Sequence, residues 1–267
     1  MSDQSSVEFT LDGQKVRARP GETVLSVAKR HGIEIPALCH HDSISDHGAC
    51  RLCVVEAFWG KGSKLVTSCI YTPWQDERIE TNNQRVGRAR KMVLELLLAR
   101  CPRVEEIRQL AREYGVIELR FRKRPRESET ERCILCGLCV RVCAEVVGQN
   151  AVGYANRGLD RVISTPFGAQ ADECIGCGAC VFVCPTGALH YEDIDGCRIM
   201  KELNTRVPMV ACRRCGQFFA TEAQIAKVRQ RLKLSDELAE TCPRCRGAEF
   251  RGILEKCLVS RELKVKS

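Results

Sequence analysis

One cysteine spacing occurs twice in this chain, and few folds can accommodate it. CILCGLCVRVCA at 133–144 and CIGCGACVFVCP at 174–185 both read C-x2-C-x2-C-x3-C, the second closed by Pro185. Three thiols so close along the backbone share one tight loop and reach three corners of a cubane. The fourth, entering a helix, points to the other cubane. The spacing therefore predicts one [4Fe-4S] cluster on Cys133, Cys136, Cys139 and Cys184, and a second on Cys174, Cys177, Cys180 and Cys143. Zinc knuckles use two C-x2-C pairs and have no use for two such quartets. Gly137, Gly176 and Gly178 let the backbone curl close enough for its N–H groups to reach sulfide. The matching apolar positions predict two half-domains related by an approximate two-fold axis.

Composition agrees that apolar burial is not the main support. The chain has 19 Cys in 267 residues, and its 44% hydrophobic share includes them, with aromatics at 5%. No 18-residue apolar run exists, and the start MSDQSSVEFTLDG is polar, so a cytoplasmic protein without membrane insertion is expected. In that compartment thiols stay reduced and serve metals rather than disulfides. The net charge of +8 resides in residues 198–267, which hold 16 Lys and Arg against 8 Asp and Glu. A second basic zone, 85–126, holds 13 against 5. Both suit docking to acidic partner surfaces as well as plain solvation.

The pattern predicts an α+β chain in four parts. Residues 1–82 open with VEFTLDGQKVRA, alternating about Asp12-Gly13 as a hairpin does, then a helix over ETVLSVAKRHG ended by Gly32. LCVVEAFWG and KLVTSC follow as strands with a turn at Lys61-Gly62-Ser63, the order of a β-grasp ferredoxin domain. Within it Cys39, Cys50, Cys53 and Cys69 have the spacing C-x10-C-x2-C-x15-C. The plant-type [2Fe-2S] pattern has a first gap six residues shorter. The small Gly48 and Ala49 let this longer loop approach a [2Fe-2S] cluster; structural zinc or free buried thiols are the alternatives. His40 and His41 adjoin Cys39 and are expected to face solvent rather than to ligate.

Residues 83–132 read as a two-helix connector and linker. Val86, Met92, Val93, Leu96 and Leu97 form the stripe of the first helix, Pro102 opens the second, Gly115 closes it, and 121–132 is a polar linker. Residues 133–200 form the twin [4Fe-4S] ferredoxin-like domain. Residues 201–267 form a four-cysteine zinc-ribbon or rubredoxin-like module with a basic tail. Its knuckles, Cys212-x2-Cys215 and Cys242-x2-Cys245, suit zinc first and a single iron second, with a helical stretch over TEAQIAKVRQRLKLSDELAE between them. Cys101 and Cys257 read as small buried hydrophobes, and Cys197 carries no assigned role.

HDSISDHGACRLCVVE, VLELLLARC and the whole stretch from Cys133 to Leu189 resemble an iron-sulfur electron-entry module. It is shared by the diaphorase iron-sulfur subunit of NAD-linked hydrogenases, the N-terminal part of [FeFe]-hydrogenases and that of the complex I large iron-sulfur subunit. The likeness runs over residues 5–192. It implies a one-electron relay, with no substrate site of its own, between a flavin or NAD(P)-binding subunit and a hydrogenase, formate dehydrogenase or related catalytic subunit. Many relatives hold a further cluster on one His and three Cys; residues 83–132 contain no His and only Cys101, so that cluster is expected to be missing. No G-x-G-x-x-G follows a strand, which leaves flavin and nicotinamide to other chains. The competing reading is a redox sensor whose C-terminal zinc module contacts nucleic acid. The paired knuckles and basic tail favour it; the scarcity of aromatics in the tail argues against nucleic acid as a partner.

Overall fold

The computed structural model describes residues 6–117, 120–121 and 132–248. It divides into two compact units. The first takes in Met1–Gly148, Tyr154–Ile163 and Ala179–Leu189; the second takes in Gln149–Gly153, Ser164–Gly178 and His190–Ser267.

The first unit is built on a five-stranded sheet. β1 (Val7–Leu11) and β2 (Gln14–Ala18) pair antiparallel about Asp12 and Gly13, both at positive φ, as the Asp-Gly signal requires. Phe9, Leu11, Val16 and Ala18 point to one side and are buried against Val24, Leu25, Val27 and Ala28. The last four lie on α1 (Val24–Arg30), which Thr23 caps by accepting from the Ser26 N–H and which gives way to Gly32 at φ +72°. β3 (Val54–Trp59) and β4 (Gly62–Thr67) form the second hairpin. Trp59 pairs with Gly62, so the turn is Gly60-Lys61 and not the expected Lys61-Gly62-Ser63; Gly60 supplies the positive φ.

β5 (Arg78–Glu80), which periodicity does not reveal, occupies the centre of the sheet, in the order β2-β1-β5-β3-β4. It is parallel to β1 and antiparallel to β3, and only Ile79 of its three residues enters the core. Three residues with one apolar side chain give no alternation to read. They hold a central position because two long-range neighbours satisfy their backbone groups.

Two helices follow. α2 (Gln84–Arg100) is capped by Asn83, whose side-chain oxygen accepts from the Val86 N–H. Its buried face is Val86, Arg90, Leu94 and Glu95, whereas Met92 and Leu96 of the expected stripe are about half exposed. The stripe was displaced by Arg90, which is buried because its guanidinium donates to the Val54 carbonyl at 2.8 Å and the Tyr114 hydroxyl at 3.0 Å. α3 (Glu105–Glu113) starts after Val104, so Pro102 lies in the preceding turn rather than in the helix, and Gly115 at φ +63° ends it. Cys101 is fully buried with Val104 and Ile107. Most of the expected linker, and Cys257, lie outside the described residues.

The cysteine-rich segment enters α4 (Leu138–Arg141), which continues as a π-helix over Val142–Val147. β6 (Gly153–Ala155) and β7 (Val162–Ser164) are short strands that pair with each other, and α5 (Ala179–Phe182) packs near the π-helix.

The second unit centres on a four-stranded sheet of order β11-β10-β9-β8, from β8 (Glu192–Ile194), β9 (Cys197–Met200), β10 (Thr205–Ala211) and β11 (Phe218–Thr221). The helical stretch expected between the knuckles is α6 (Glu222–Leu232) and α7 (Asp236–Ala239), capped by Thr221 and Ser235 and separated at Lys233, which takes a left-handed conformation. No helix among the described residues is long and apolar enough to cross a membrane.

Candidate iron-sulfur and metal centres

Cys39, Cys50, Cys53 and Cys69 come together at one end of the five-stranded sheet. Cys53 immediately precedes β3 and Cys69 follows β4 by two residues, so the hairpin register brings these two side by side. The Ser68 N–H and hydroxyl both donate to the Cys53 carbonyl, at 3.0 and 2.8 Å. Cys39 arrives from the loop after α1, and the Cys50 N–H donates to its sulfur at 3.4 Å. All four are buried, none more than 6% exposed, and Cys53 and Cys69 belong to the sheet's own core. Gly48 takes φ +66°, and a Cβ there would stand 3.1 Å from the Ile70 side chain, so glycine suits the tight closure of the long loop.

The four thiols are mutually hydrogen-bonded, which splits their acidities. Contacts from Cys50 and Cys69 hold Cys39 far below the ordinary thiol value, and the same contacts push Cys50 and Cys69 up. Cys53 is drawn down to about 6, first by its contact with Cys69. Four thiols crowded in a dry pocket, with backbone N–H groups aimed at one sulfur, fit a cluster held by four thiolates.

Cys133, Cys136, Cys139 and Cys184 also lie together in the first unit. Burial pushes Cys136 up to about 11, and the charges of Cys184, Cys133 and Cys39 add to it. Cys139 is raised by burial and then by Cys136, Cys133, Cys180 and Cys184. The loop is tightly wound, with Leu135 at φ +55° and Gly137 at φ +73°. A Cβ on Gly137 would fall on the Tyr154 hydroxyl, so a larger residue there requires the tyrosine to move. The Leu135 N–H donates to the Cys133 sulfur at 3.4 Å and the Ala188 N–H to the Cys184 sulfur at 3.2 Å. Arg100, at the end of α2, donates to the Cys133 carbonyl at 2.8 Å and ties the connector to this loop.

The second quartet is divided. Cys143 in the π-helix and Cys180 in α5 belong to the first unit, and Cys174 and Cys177 to the second. In the second unit the loop of Cys174 and Cys177 is braced from the sheet, where Arg198 donates to the Gly176 carbonyl at 3.0 Å and the Thr221 hydroxyl to the Ile175 carbonyl.

Cys212, Cys215, Cys242 and Cys245 place their sulfurs within 4.8 Å of one another, and those of Cys215 and Cys242 are 3.9 Å apart. Metal–sulfur bonds of about 2.3 Å in a tetrahedron require sulfurs about 3.8 Å apart, so the set fits one four-coordinate ion. The Cys242 N–H donates to the Cys212 sulfur at 3.3 Å and the Cys245 N–H to the Cys242 sulfur at 3.4 Å. The first of these, with neighbouring N–H groups, draws the Cys212 thiol down to about 6.

Several residues near these centres carry no motif. His40 is clamped between Asp46 at 2.7 Å and Asp42 at 3.2 Å, so it braces the Cys39 loop instead of facing solvent. Arg141 donates to the carbonyls of Cys39 and Cys136. One signal for it exists in the sequence: aligning the two repeats puts Arg141 opposite Phe182, a charge where the other half is apolar.

Comparison with known proteins agrees with this geometry. The family described as 2Fe-2S iron-sulfur cluster binding domain matches residues 4–84, and that described as 4Fe-4S dicluster domain matches 132–188. The NADH-ubiquinone oxidoreductase 75 kDa subunit of Reclinomonas americana is 35% identical over 179 residues, covering 60% of this chain and 26% of that protein. The NADPH-Fe(3+) oxidoreductase subunit alpha of Geobacter sulfurreducens is 33% identical over 180 residues, covering 60% and 21%. The chain thus spans 26% of the length of one of these relatives and 21% of the other. Among solved structures, a chain of an NAD+-reducing [NiFe]-hydrogenase in the H2-reduced state superposes with a TM-score of 0.53 at 31% identity. That match covers 60% of this chain and 75% of the other.

Proposed function

The chain belongs to the diaphorase-type iron-sulfur subunits, and on that premise we propose that it passes single electrons within a multi-subunit oxidoreductase, between a flavin or NAD(P)-binding subunit and a hydrogenase or dehydrogenase catalytic subunit. It holds no substrate site of its own, and it works in the cytoplasm. One observation carries the reading: a buried four-thiol pocket and the Cys133–Cys139 turn share a compact unit, close enough for the Arg141 guanidinium to donate to the carbonyls of both Cys39 and Cys136.

We assign Cys39, Cys50, Cys53 and Cys69 to a [2Fe-2S] cluster, and Cys133, Cys136, Cys139 and Cys184 to a [4Fe-4S] cluster. On spacing, we assign Cys174, Cys177, Cys180 and Cys143 to a second [4Fe-4S] cluster. Bound there, these groups supply one-electron oxidation and reduction. The protein's residues supply the rest: thiolates that grip, N–H groups aimed at sulfur that tune potential, and an apolar core that keeps water away. Cys212, Cys215, Cys242 and Cys245 hold zinc in this reading, a redox-inactive clamp for the C-terminal module.

Anaerobic purification tests the proposal. The chain is expected to carry about ten iron, about ten acid-labile sulfide and one zinc, and to co-purify from its host with flavin-containing and catalytic subunits in fixed ratio. About eleven iron and no zinc would convert the C-terminal site to the rubredoxin type. A colourless preparation, silent in paramagnetic resonance after dithionite, would end the reading.

A further inference from the structure

Arg141 stands between residues assigned to different clusters. Along the chain it lies two positions after Cys139 and two before Cys143. In space its guanidinium donates to the Cys39 carbonyl at 3.1 Å, to the Cys136 carbonyl at 3.4 Å and to the Ser45 carbonyl. One planar cation thus touches a ligand residue of the [2Fe-2S] set, a ligand residue of the first [4Fe-4S] set and the loop between Cys39 and Cys50. Glu145 completes the clasp, accepting from the Ser45 N–H at 2.8 Å and its hydroxyl at 2.5 Å. Arg141 and Glu145 are four residues apart where the chain changes from α to π winding, and at four residues both face the same loop.

The repeat itself shows that this is no requirement of the cysteine motif. Phe182 holds the matching position in the second half and is 83% exposed. Arg141 is also held at a cost, because its Nε is buried with no hydrogen-bond partner among the described residues.

We propose that Arg141 is a positioning residue that locks the Cys39 loop against the Cys136 turn and thereby sets one-electron exchange between the [2Fe-2S] cluster and the cluster of Cys133, Cys136, Cys139 and Cys184. This rests on the relay reading above. In the step, one electron leaves the first cluster and enters the second; no bond or proton changes at Arg141, whose guanidinium stays charged throughout. The fork matters for geometry, since the three contacts come from two nitrogens held apart in one rigid plane, a spread that the compact ammonium of lysine does not reproduce. The charge matters separately: a cation beside both sites favours their reduced, more negative forms.

The test uses the full chain, prepared anaerobically, as Arg141→Gln, Arg141→Lys and Glu145→Gln. Iron and sulfide content, the midpoint potential of each cluster, the magnetic coupling between the two reduced clusters and the rate of their electron exchange after mixing with dithionite are read for each. Arg141→Gln is expected to keep its iron, to weaken the coupling, to slow exchange severalfold and to lower both midpoints. Arg141→Lys is expected to restore the midpoints but not the coupling. Glu145→Gln is expected to weaken the coupling with the midpoints nearly unmoved. Iron-replete Arg141→Gln with the coupling and exchange rate of the parent chain would overturn the inference. If Arg141→Gln loses its clusters, Glu145→Gln decides, and unchanged coupling there overturns it equally. Failure of the parent chain itself to exchange electrons would instead defeat the relay reading, whatever the variants do.

Discussion

A glycine and a tyrosine fix how tightly the first cubane loop is wound. Gly137 sits at φ +73°, and the Tyr154 hydroxyl occupies the place of its missing Cβ. Arg161 lies over the Tyr154 ring, 3.9 Å from its centroid, which keeps the tyrosine from swinging away easily. Gly137→Ala is therefore expected to destabilise the unit by more than the roughly 1–2 kcal/mol that a left-handed alanine costs. Adding Tyr154→Phe should recover the excess and leave the backbone cost. Anaerobic thermal unfolding of the two variants and the double variant measures this; a double variant no more stable than Gly137→Ala alone would show that the hydroxyl is not the obstacle. The glycine is visible in the sequence as part of the motif. Its reason is not, because Tyr154 reaches it from 17 positions further on.

At the scale of elements, local signals were reliable and long-range ones were silent. The Asp12-Gly13 hairpin, the Thr23 cap and the Gly32 and Gly115 stops all form as their residues dictate, since each depends on neighbours a few positions away. Two local readings slipped, the turn at Gly60-Lys61 and the start of α3, whereas the larger failures share the opposite cause. β5 is legible only from β1 and β3, and the true face of α2 only from Val54 and Tyr114, which make burial of Arg90 favourable. Asn83 shows both kinds of information at once. It caps α2, and its amide also donates to Glu56 at 2.8 Å and Glu80 at 2.7 Å, tying the helix start to the sheet. Asn83→Ala should cost about 1–2 kcal/mol, the upper part of the capping range. The measurement is the shift in anaerobic thermal midpoint against Asn83→Asp, which keeps the cap but brings a third carboxylate to Glu56 and Glu80 and should fall between parent and alanine.

At the scale of the molecule, inorganic centres take over work that a sparse apolar core leaves undone. In the second unit the four-cysteine site joins the end of β10, through Cys212, to the segment after α7, through Cys242 and Cys245. If the site holds zinc as proposed, a chelator should release one zinc and expose backbone amides of residues 205–245 to hydrogen exchange, because binding free energy at such a site is folding free energy. The [2Fe-2S] circular dichroism should persist, since Cys39, Cys50, Cys53 and Cys69 are all buried in the other unit. Loss of both together would mean that the two units do not stand independently. By itself the sequence determined which cysteines share a loop, how that loop must curl and the starts and stops marked by Asp12-Gly13, Thr23, Gly32 and Gly115. All of these follow from steric rules acting over a few residues. Only the tertiary structure decided that Cys39 and Cys136 would share a guanidinium and that Ser45 would meet Glu145 a hundred positions away. Such pairings are chosen by burial and by the demand that every desolvated polar group find a partner, conditions met only when the whole chain has folded.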